Sequence, residues 1–469
     1  MKKYRYSLFY VVTLLVFSVL VWWIVHLGRG FRDETGHAGS HSGEPSTSFL
    51  DLIAANAHYP LAVLLTQVLV ILFAARLLGR LFRKLGQPSV IGEIAAGIVL
   101  GPSVLGHFWP EGMTALFPAA SIPNLQVLSQ LGLILFMFVV GMELDLGILK
   151  KKAREGILIS HASIVIPFSL GMILAYFLYP DFGLPGVGFL SFALFMGISM
   201  SVTAFPVLAR ILQERRIQHT KAGQLAIMCA ASDDVTAWSI LAVVISIVRA
   251  TSIVSALITI GMTVVYVVLM IKVARPLLEK MVARDMPGLV SRSMVTVCFM
   301  TLVVSAFLAE VIGIHALFGA FLTGAIMPAG NNFRKVFSDK VEDLALVLLL
   351  PLFFVFTGLR TDIGLIYGAQ MWMITGLITL VAVAGKFGGS ALSARFVGEN
   401  MRESLIIGAL MNTRGLMELV VLNIGYDLGV FSPRIFTMLV IMALLTTMMT
   451  GPLLNLIDRI LNKNEPEQV

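Results

Sequence analysis

The sequence predicts an all-α polytopic membrane protein with about 13–14 transmembrane helices. Its 469 residues are 58% hydrophobic and only 13% charged, and the mean hydropathy is +0.91. Apolar runs long enough to cross a bilayer alternate with short loops, and Lys and Arg cluster in every second loop. A soluble domain cannot bury so much apolar surface. The formal charge of +7 therefore indicates basic cytoplasmic loops, and no nucleic-acid partner is expected.

Fourteen apolar runs are predicted to span the membrane, and the basic loop after each even-numbered run places both termini in the cytoplasm. Their approximate limits are 8–27, 60–78, 89–105, 125–142, 157–179, 188–212, 222–248, 253–273, 293–312, 315–327, 341–357, 371–396, 404–424 and 434–457.

These limits divide the chain into three regions. Residues 1–58 contain the first predicted helix and a polar external linker, 59–457 form the transmembrane domain, and 458–469 form a short cytoplasmic tail. The run at 8–27 is too long for a typical signal peptide and lacks a small-x-small cleavage site, so an uncleaved helix is favoured over a cleaved signal.

Two of the predicted spans contain residues that interrupt a helix. Pro206 removes a backbone hydrogen bond from the sixth span, and Asn412, Thr413, Arg414, Gly415 and Glu418 weaken the middle of the thirteenth. Each is the centre of three spans, about 157–248 and 367–457, and an offset of seven spans makes the two trios enter the membrane from opposite faces. Matched breaks in inverted-topology repeats are typical of secondary transporters with a site at the midplane, although two unrelated kinks remain the alternative.

The seventh span carries two adjacent carboxylates, Asp233 and Asp234. A charge at this depth costs at least ~2.5–3.5 kcal/mol, so it usually faces a partner or a water-filled cavity. Two neighbouring acids cannot both ionise cheaply at low dielectric, which makes a site where protons and a monovalent cation compete. Thr203, Ser201 and freed carbonyl groups of the sixth span are candidate oxygen ligands. The alternative is that the acids only hold helices together.

Two further pairs of charges are predicted inside the membrane. Lys386, in the twelfth span, is the natural countercharge to the aspartates, either as a structural ion pair or as a group that itself carries a transported proton. Arg414 and Glu418 are one helical turn apart and are expected to neutralise each other across the second break.

Several motifs occur in order along the chain, and together they resemble those of the monovalent cation/proton antiporter superfamily. The likeness is to its second branch, which contains bacterial sodium/proton antiporters and relatives of plant cation/H⁺ exchangers. The matching stretches are 87–93 with 101–102, 136–143, 201–206, 233–234, 313–321, 351–354 and 412–419.

The resemblance implies a six-helix core with two crossed broken helices that moves against a dimerising panel by an elevator-like alternating access. It implies that Asp234 binds the cation or the proton and that Asp233 pairs with Lys386. The aspartate pair with a lysine resembles sodium/proton members, whereas residues 412–419 resemble plant cation exchangers.

The sequence therefore predicts a homodimeric antiporter of the inner (cytoplasmic) membrane, with a cytoplasmic C-terminus, that exchanges Na⁺ for protons in cation and pH homeostasis. K⁺ and Li⁺ are alternative substrates, and neither enzymatic activity nor a cofactor is expected. A passive cation channel is a rival, although an inverted-repeat site favours alternating access. An intramembrane aspartyl protease is a weaker rival, because its two aspartates must face each other across a shared proton.

Overall fold

The computed structural model describes residues 15–23, 56, 59–143, 153–218, 220–250, 253–282, 291–328 and 333–461. The chain divides into two units, Met1–His58 and Tyr59–Val469. In the first unit, residues 15–23 are helical with exposed side chains, and the rest of the predicted first span lies outside the described residues, as does almost all of the polar linker.

The described elements of the second unit are all helices, which we number α1 to α20. Short π-helical turns join α10 to α11, α14 to α15 and α16 to α17. The bounds are α1 Pro60–Lys84, α2 Ser89–Leu100, α3 Leu105–Phe108, α4 Pro110–Leu116, α5 Ile122–Glu143, α6 Ala153–Phe182, α7 Phe189–Ser201, α8 Phe205–Glu214, α9 Lys221–Arg249, α10 Ile253–Leu269, α11 Arg275–Val282, α12 Arg292–Ile312, α13 Ala316–Ile326, α14 Phe333–Asp343, α15 Leu350–Leu359, α16 Gly368–Val383, α17 Gly389–Phe396, α18 Met401–Met411, α19 Leu416–Asp427 and α20 Pro433–Leu461.

The predicted spans from the second to the fourteenth each correspond to a helix or to consecutive helices of the described chain. Within the described residues, ten stretches are long and apolar enough to cross a membrane, and the bent pair α18 and α19 is an eleventh. The predicted sixth span is the shorter apolar helix α7 followed by α8, and the predicted tenth is the short apolar helix α13. The all-α polytopic fold is therefore confirmed.

The helices form two groups within the second unit. The core group consists of the two trios, α6–α9 and α16–α20, which pack on each other through α6 against α17 and α9 against α18. The remaining helices, which we call the panel, pack through glycines: a Cβ on Gly97 of α2 would lie 2.1 Å from the Val355 carbonyl oxygen of α15. Only glycine allows the two backbones to approach this closely.

The first break lies at Val202–Ala204, between α7 and α8. Val202 has extended backbone angles, φ −79° and ψ 137°, and α8 begins at Phe205. Pro206 is thus in the first turn of the second half-helix, where its missing N–H breaks no hydrogen bond. The expectation that Pro206 interrupts the sixth span from within is corrected, because the break precedes it.

The second break, between Met411 and Leu416, crosses the first. Here α18 and α19 are bent by 41°. The Ala204 amide donates to the Thr413 carbonyl oxygen at 3.0 Å, and the Thr203 hydroxyl lies 3.2 Å from the carbonyl oxygen of Met411. The two breaks thus satisfy part of each other's free backbone, which is the condition for irregular backbone at membrane depth. The predicted crossing of two broken helices is confirmed.

Candidate functional site

The C-terminal end of α7 is held by two buried cations from the second trio. The last carbonyls of a helix have no partner within it and carry a partial negative charge. Arg414 donates from Nη1 to the Ser199 carbonyl oxygen at 2.8 Å and from Nη2 to that of Met200 at 2.7 Å. Lys386 Nζ donates to the Ser201 carbonyl oxygen at 2.5 Å. Each trio therefore supplies groups that complete the other trio's break.

Lys386 joins this helix end to the aspartate pair. It lies on the π-helical turn Ala384–Gly388 and is fully buried. Besides the Ser201 carbonyl, Nζ contacts Asp233 Oδ2 at 2.9 Å and the Ser163 carbonyl oxygen at 2.9 Å. Its three donors thus all have acceptors. The geometry brings together Lys386 and Asp233, the pair that the resemblance implied.

Asp233 is a fully buried carboxylate surrounded by donors. Ser160 Oγ donates to Oδ1 at 2.6 Å, while Ser163 Oγ and Thr203 Oγ1 lie 2.8 and 2.9 Å from Oδ2, which also accepts from Lys386. Sequence reasoning missed Ser160 and Ser163. Their spacing of three residues, which puts both hydroxyls on one face of the mainly apolar helix α6, was the available signal.

Ser201 contributes to the site through its backbone. Its hydroxyl donates to the Ile198 carbonyl oxygen at 3.0 Å, within its own helix, and its carbonyl is the one that Lys386 contacts. Thr203 was predicted as an oxygen ligand of the cation, and its hydroxyl contacts Asp233. Thr203 therefore contacts the buried aspartate itself, and Ser201 contacts the lysine that pairs with it.

Asp234 is as deeply buried as Asp233 but lies in a different environment. Its side chain is 0% exposed, and among the described residues neither carboxylate oxygen has a hydrogen-bond partner. Trp238, one turn further along α9, stacks on Phe321 of the panel helix α13, with ring centroids 5.8 Å apart. Asp234 and Trp238 therefore lie on the same face of α9, and this face borders the panel.

The second break contains its own buried ion pair. Arg414 Nη1 and Glu418 Oε2 lie 3.3 Å apart, and both side chains are 0% exposed. The Thr447 hydroxyl of α20 donates to the Arg414 carbonyl oxygen at 2.7 Å, and the Thr413 and Thr450 hydroxyl oxygens are 3.3 Å apart. A Cβ on Gly415 would lie 3.0 Å from Val207 Cγ2, so glycine lets α8 approach here. The remaining residue of this break, Asn412, is fully buried.

A cleft of about 690 Å³ lies between the core group and the panel and leads to the crossing of the two helix breaks. Phe205, Val207 and Leu416, at the starts of α8 and α19, form its core-group wall. Its panel wall includes Arg76 and Arg83, near the end of α1 that is predicted to be cytoplasmic. The cleft is large enough to hold water and reaches the residues that follow the two helix breaks.

A polar cluster joins the core group to the panel at another point. Arg360, at the end of α15, donates to Asp427 Oδ1 at 2.7 Å and to Asn423 Oδ1 at 3.1 Å, both on α19. The Arg360 guanidinium also lies 4.4 Å from the centre of the Phe356 ring. We call Arg360, Asn423 and Asp427 the α15–α19 clasp.

Comparisons with known proteins agree with this architecture. The family model described as sodium/hydrogen exchanger, transmembrane, matches residues 68–457. The Na⁺/H⁺ antiporter NhaS4 of Synechocystis is 43% identical over 395 residues, which cover 84% of this chain and 96% of that protein. Cation/H⁺ antiporter 19 of Arabidopsis thaliana is 38% identical over 412 residues, 87% of this chain and 51% of that protein. K⁺/H⁺ antiporter 1 of Saccharomyces cerevisiae is 31% identical over 413 residues, 86% of this chain and 47% of that protein.

The chain thus spans nearly all of the cyanobacterial relative and about half the length of the plant and yeast relatives. The structure of the sodium proton antiporter MjNhaP1 from Methanocaldococcus jannaschii superposes with a TM-score of 0.64 and 14% sequence identity, and the match covers 84% of this chain and 96% of that one. This is a likeness of fold. Taken with the crossed breaks and the buried aspartates, the family match shows that the chain belongs to the transmembrane sodium/hydrogen exchanger family.

Proposed function

We propose that this protein exchanges a monovalent cation for protons by alternating access and that Asp234 binds each of them in turn. The observation that carries the proposal is the contrast within the aspartate pair. Asp233 is neutralised by Lys386, whereas Asp234 is fully buried with no hydrogen-bond partner among the described residues. A buried carboxylate without a partner is stable only when a proton or a cation neutralises it.

Na⁺ is the favoured cation, with K⁺ or Li⁺ as alternatives. NhaS4, which the chain covers almost completely, is named for sodium, whereas the yeast relative is named for potassium. A carboxylate with neutral oxygen groups nearby suits any of these ions, and the spacing of the ligands decides among them.

In the proposed cycle, the cation enters through the cleft beside α8 and α19, and a proton leaves Asp234. The core group then moves against the panel and carries the occupied site to the other side, where the cation leaves and a proton binds. The α15–α19 clasp links the two groups in this conformation, so its Arg360–Asp427 bridge must break or shift when they slide. Because the charge of Asp234 is neutralised before it moves, the bound core crosses at lower cost.

The competing functions have less support from the site. A channel needs a continuous pore, and here the route ends at a packed crossing of two helix breaks. An aspartyl protease needs two facing carboxylates that share a proton, but Asp233 is held by lysine and hydroxyl donors. We further propose that the protein lies in the inner (cytoplasmic) membrane as a homodimer, with a cytoplasmic C-terminus.

The test is exchange in proteoliposomes with a preset pH gradient. Na⁺, Li⁺ and K⁺ are added separately, and the dissipation of the gradient is followed for the unaltered protein, for Asp234→Asn and for Asp181→Asn. Asp181 is an exposed carboxylate at the end of α6, so this matched control should keep full activity. We expect Asp234→Asn to abolish exchange with every cation.

Two outcomes would contradict the proposal. Cation flux without proton movement would favour a channel. Exchange that persists in the folded Asp234→Asn protein would show that the coupling group lies elsewhere.

A further inference from the structure

Asn412 is a second buried polar group at the crossing that lacks a hydrogen-bond partner among the described residues. It follows the last residue of α18, its side chain is 0% exposed, and among the described residues neither Oδ1 nor Nδ2 makes a hydrogen bond. A side-chain amide offers two N–H donors and a carbonyl acceptor, and leaving them unmade in the interior costs about 1–3 kcal/mol. Such a group requires an explanation.

The other two buried side-chain amides among the described residues, Gln67 and Asn423, have hydrogen-bonded N–H groups. Gln67 Nε2 of the panel donates to the Leu116 carbonyl oxygen at 2.8 Å and to Ser121 Oγ at 2.6 Å. Asn423 Nδ2 donates to Thr357 Oγ1 and to the Leu419 carbonyl oxygen, each at 2.9 Å. Asn412 differs from both, so a purely structural role does not account for it.

The residue before Asn412 contacts the hydroxyl group of Thr203, which also contacts one member of the aspartate pair. Thr203 Oγ1 lies 3.2 Å from the carbonyl oxygen of Met411, the residue before Asn412. The same oxygen lies 2.9 Å from Oδ2 of Asp233, the residue before Asp234. Asp234 follows Asp233 on α9, and Asn412 follows Met411 at the end of α18. The two side chains that lack hydrogen-bond partners among the described residues are therefore next in sequence to the two residues that contact Thr203, and helices α9 and α18 pack against each other.

We infer that Asn412 and Asp234 belong to one cation site, in which Asn412 Oδ1 is a neutral oxygen ligand and a determinant of cation specificity. The inference rests on the proposed function. A monovalent cation that sheds water needs several oxygen ligands, and one carboxylate supplies charge but few of them. An amide oxygen adds a strong dipole without a second charge, so the site keeps a single group for which protons compete.

The test measures cation affinity and selectivity for Asn412→Ala, Asn412→Thr and the control Gln67→Ala. Exchange in proteoliposomes is measured against Na⁺, Li⁺ and K⁺ concentration, and cation-induced thermal stabilisation is measured in detergent. For Asn412→Ala we expect the concentration for half-maximal exchange to rise about tenfold, the loss of one ligand to a charged group. The ratio of the Na⁺ to the K⁺ value should change as well. Asn412→Thr keeps an oxygen and should recover part of the affinity, while Gln67→Ala should leave both quantities unchanged.

Three outcomes separate the possibilities. If Asn412→Ala folds and both the half-maximal concentration and the Na⁺/K⁺ ratio are unchanged, the inference is wrong. If thermal stability falls while affinity and selectivity stay the same, Asn412 is structural and the inference is again wrong. Should the alanine variant not fold, the near-isosteric Asn412→Asp decides: we expect at least a threefold change in the half-maximal concentration, and no change overturns the inference.

The proposed function stands or falls separately. If Asp234→Asn loses exchange and Asn412→Ala behaves like the unaltered protein, the proposed antiporter function stands and only the role of Asn412 as a ligand is wrong. If exchange persists in Asp234→Asn, Asp234 is not the coupling group, whatever the Asn412 variants show.

Discussion

Two neighbouring positions on α9 place the same side chain in opposite environments. Asp233 accepts from Lys386, Thr203 and two serines, and its face of the helix is turned towards α6 and the first break. Asp234 is equally buried but has no hydrogen-bond partner among the described residues. It lies on the same face of α9 as Trp238, which stacks on Phe321 of the panel. Burial and residue type are identical, so the difference lies in what surrounds each carboxylate.

Asp233, paired with Lys386, stabilises the fold, whereas Asp234 is the carboxylate that we propose binds the cation and the proton. A buried ion pair with all its hydrogen bonds made is costly to break, because either partner alone is an uncompensated charge. A carboxylate without such partners can exchange a proton for a cation without breaking a hydrogen bond or an ion pair within the protein.

The largest effect is expected for Asp233→Ala. This change leaves the Lys386 ammonium buried with only carbonyl and hydroxyl partners, which should lower the free energy of unfolding by about 3–5 kcal/mol. The measurement is thermal unfolding in detergent beside Asp234→Asn, which should be as stable as the unaltered protein or more so. Equal losses in the two variants would erase the distinction between the two sites.

Lys386→Ala should be somewhat less damaging, because three hydroxyl groups still donate to Asp233. We expect a loss of about 3 kcal/mol and a change in voltage response, with little change in the cation concentration for half-maximal exchange. The double variant Asp233→Asn with Lys386→Ala should lose less than the sum of the single losses, because the two residues interact. Additive losses, or unchanged voltage response and thermal stability in the single variant, would contradict the pairing.

Arg414→Lys tests the helix end that the second trio caps. Lysine keeps the charge but not the planar fork that reaches two carbonyl oxygens at once, so we expect a loss of about 2 kcal/mol in unfolding free energy. A matched Arg275→Lys change, in an exposed pair with Glu279 on α11, should have almost no effect. Similar losses in both variants would argue against a capping role for Arg414.

The smallest effect is expected for Ser160→Ala. It removes one donor from Asp233 and should lower the unfolding free energy by about 1.5 kcal/mol without changing cation selectivity. Ser239→Ala, an exposed serine on α9 whose hydroxyl donates to its own helix, is the control and should be neutral. A selectivity change in Ser160→Ala would place the cation beside Asp233 and reverse our assignment.

Much of the site could be predicted from the sequence because its elements have strong local signals. Acids, a lysine and an arginine inside apolar runs mark membrane charges whatever their partners. Ser160 and Ser163 were missed because a serine in a transmembrane helix usually bonds to its own backbone. The role predicted for Pro206 was wrong, since proline is compatible with the first turn of a helix as well as with an interruption.

From hydropathy and residue type we could predict the order of the second to fourteenth spans, the two interrupted helices and the identities of the buried charges. These depend on hydrophobic length and on residue type, which are local properties. The fold was needed to show which aspartate is satisfied, which carbonyl groups Lys386 and Arg414 cap, and that Asn412 lacks a hydrogen-bond partner among the described residues. Those facts depend on distances between residues far apart in the chain, such as the 153 positions that separate Asp233 from Lys386. Hydropathy does not encode such distances; the packing of the two trios does.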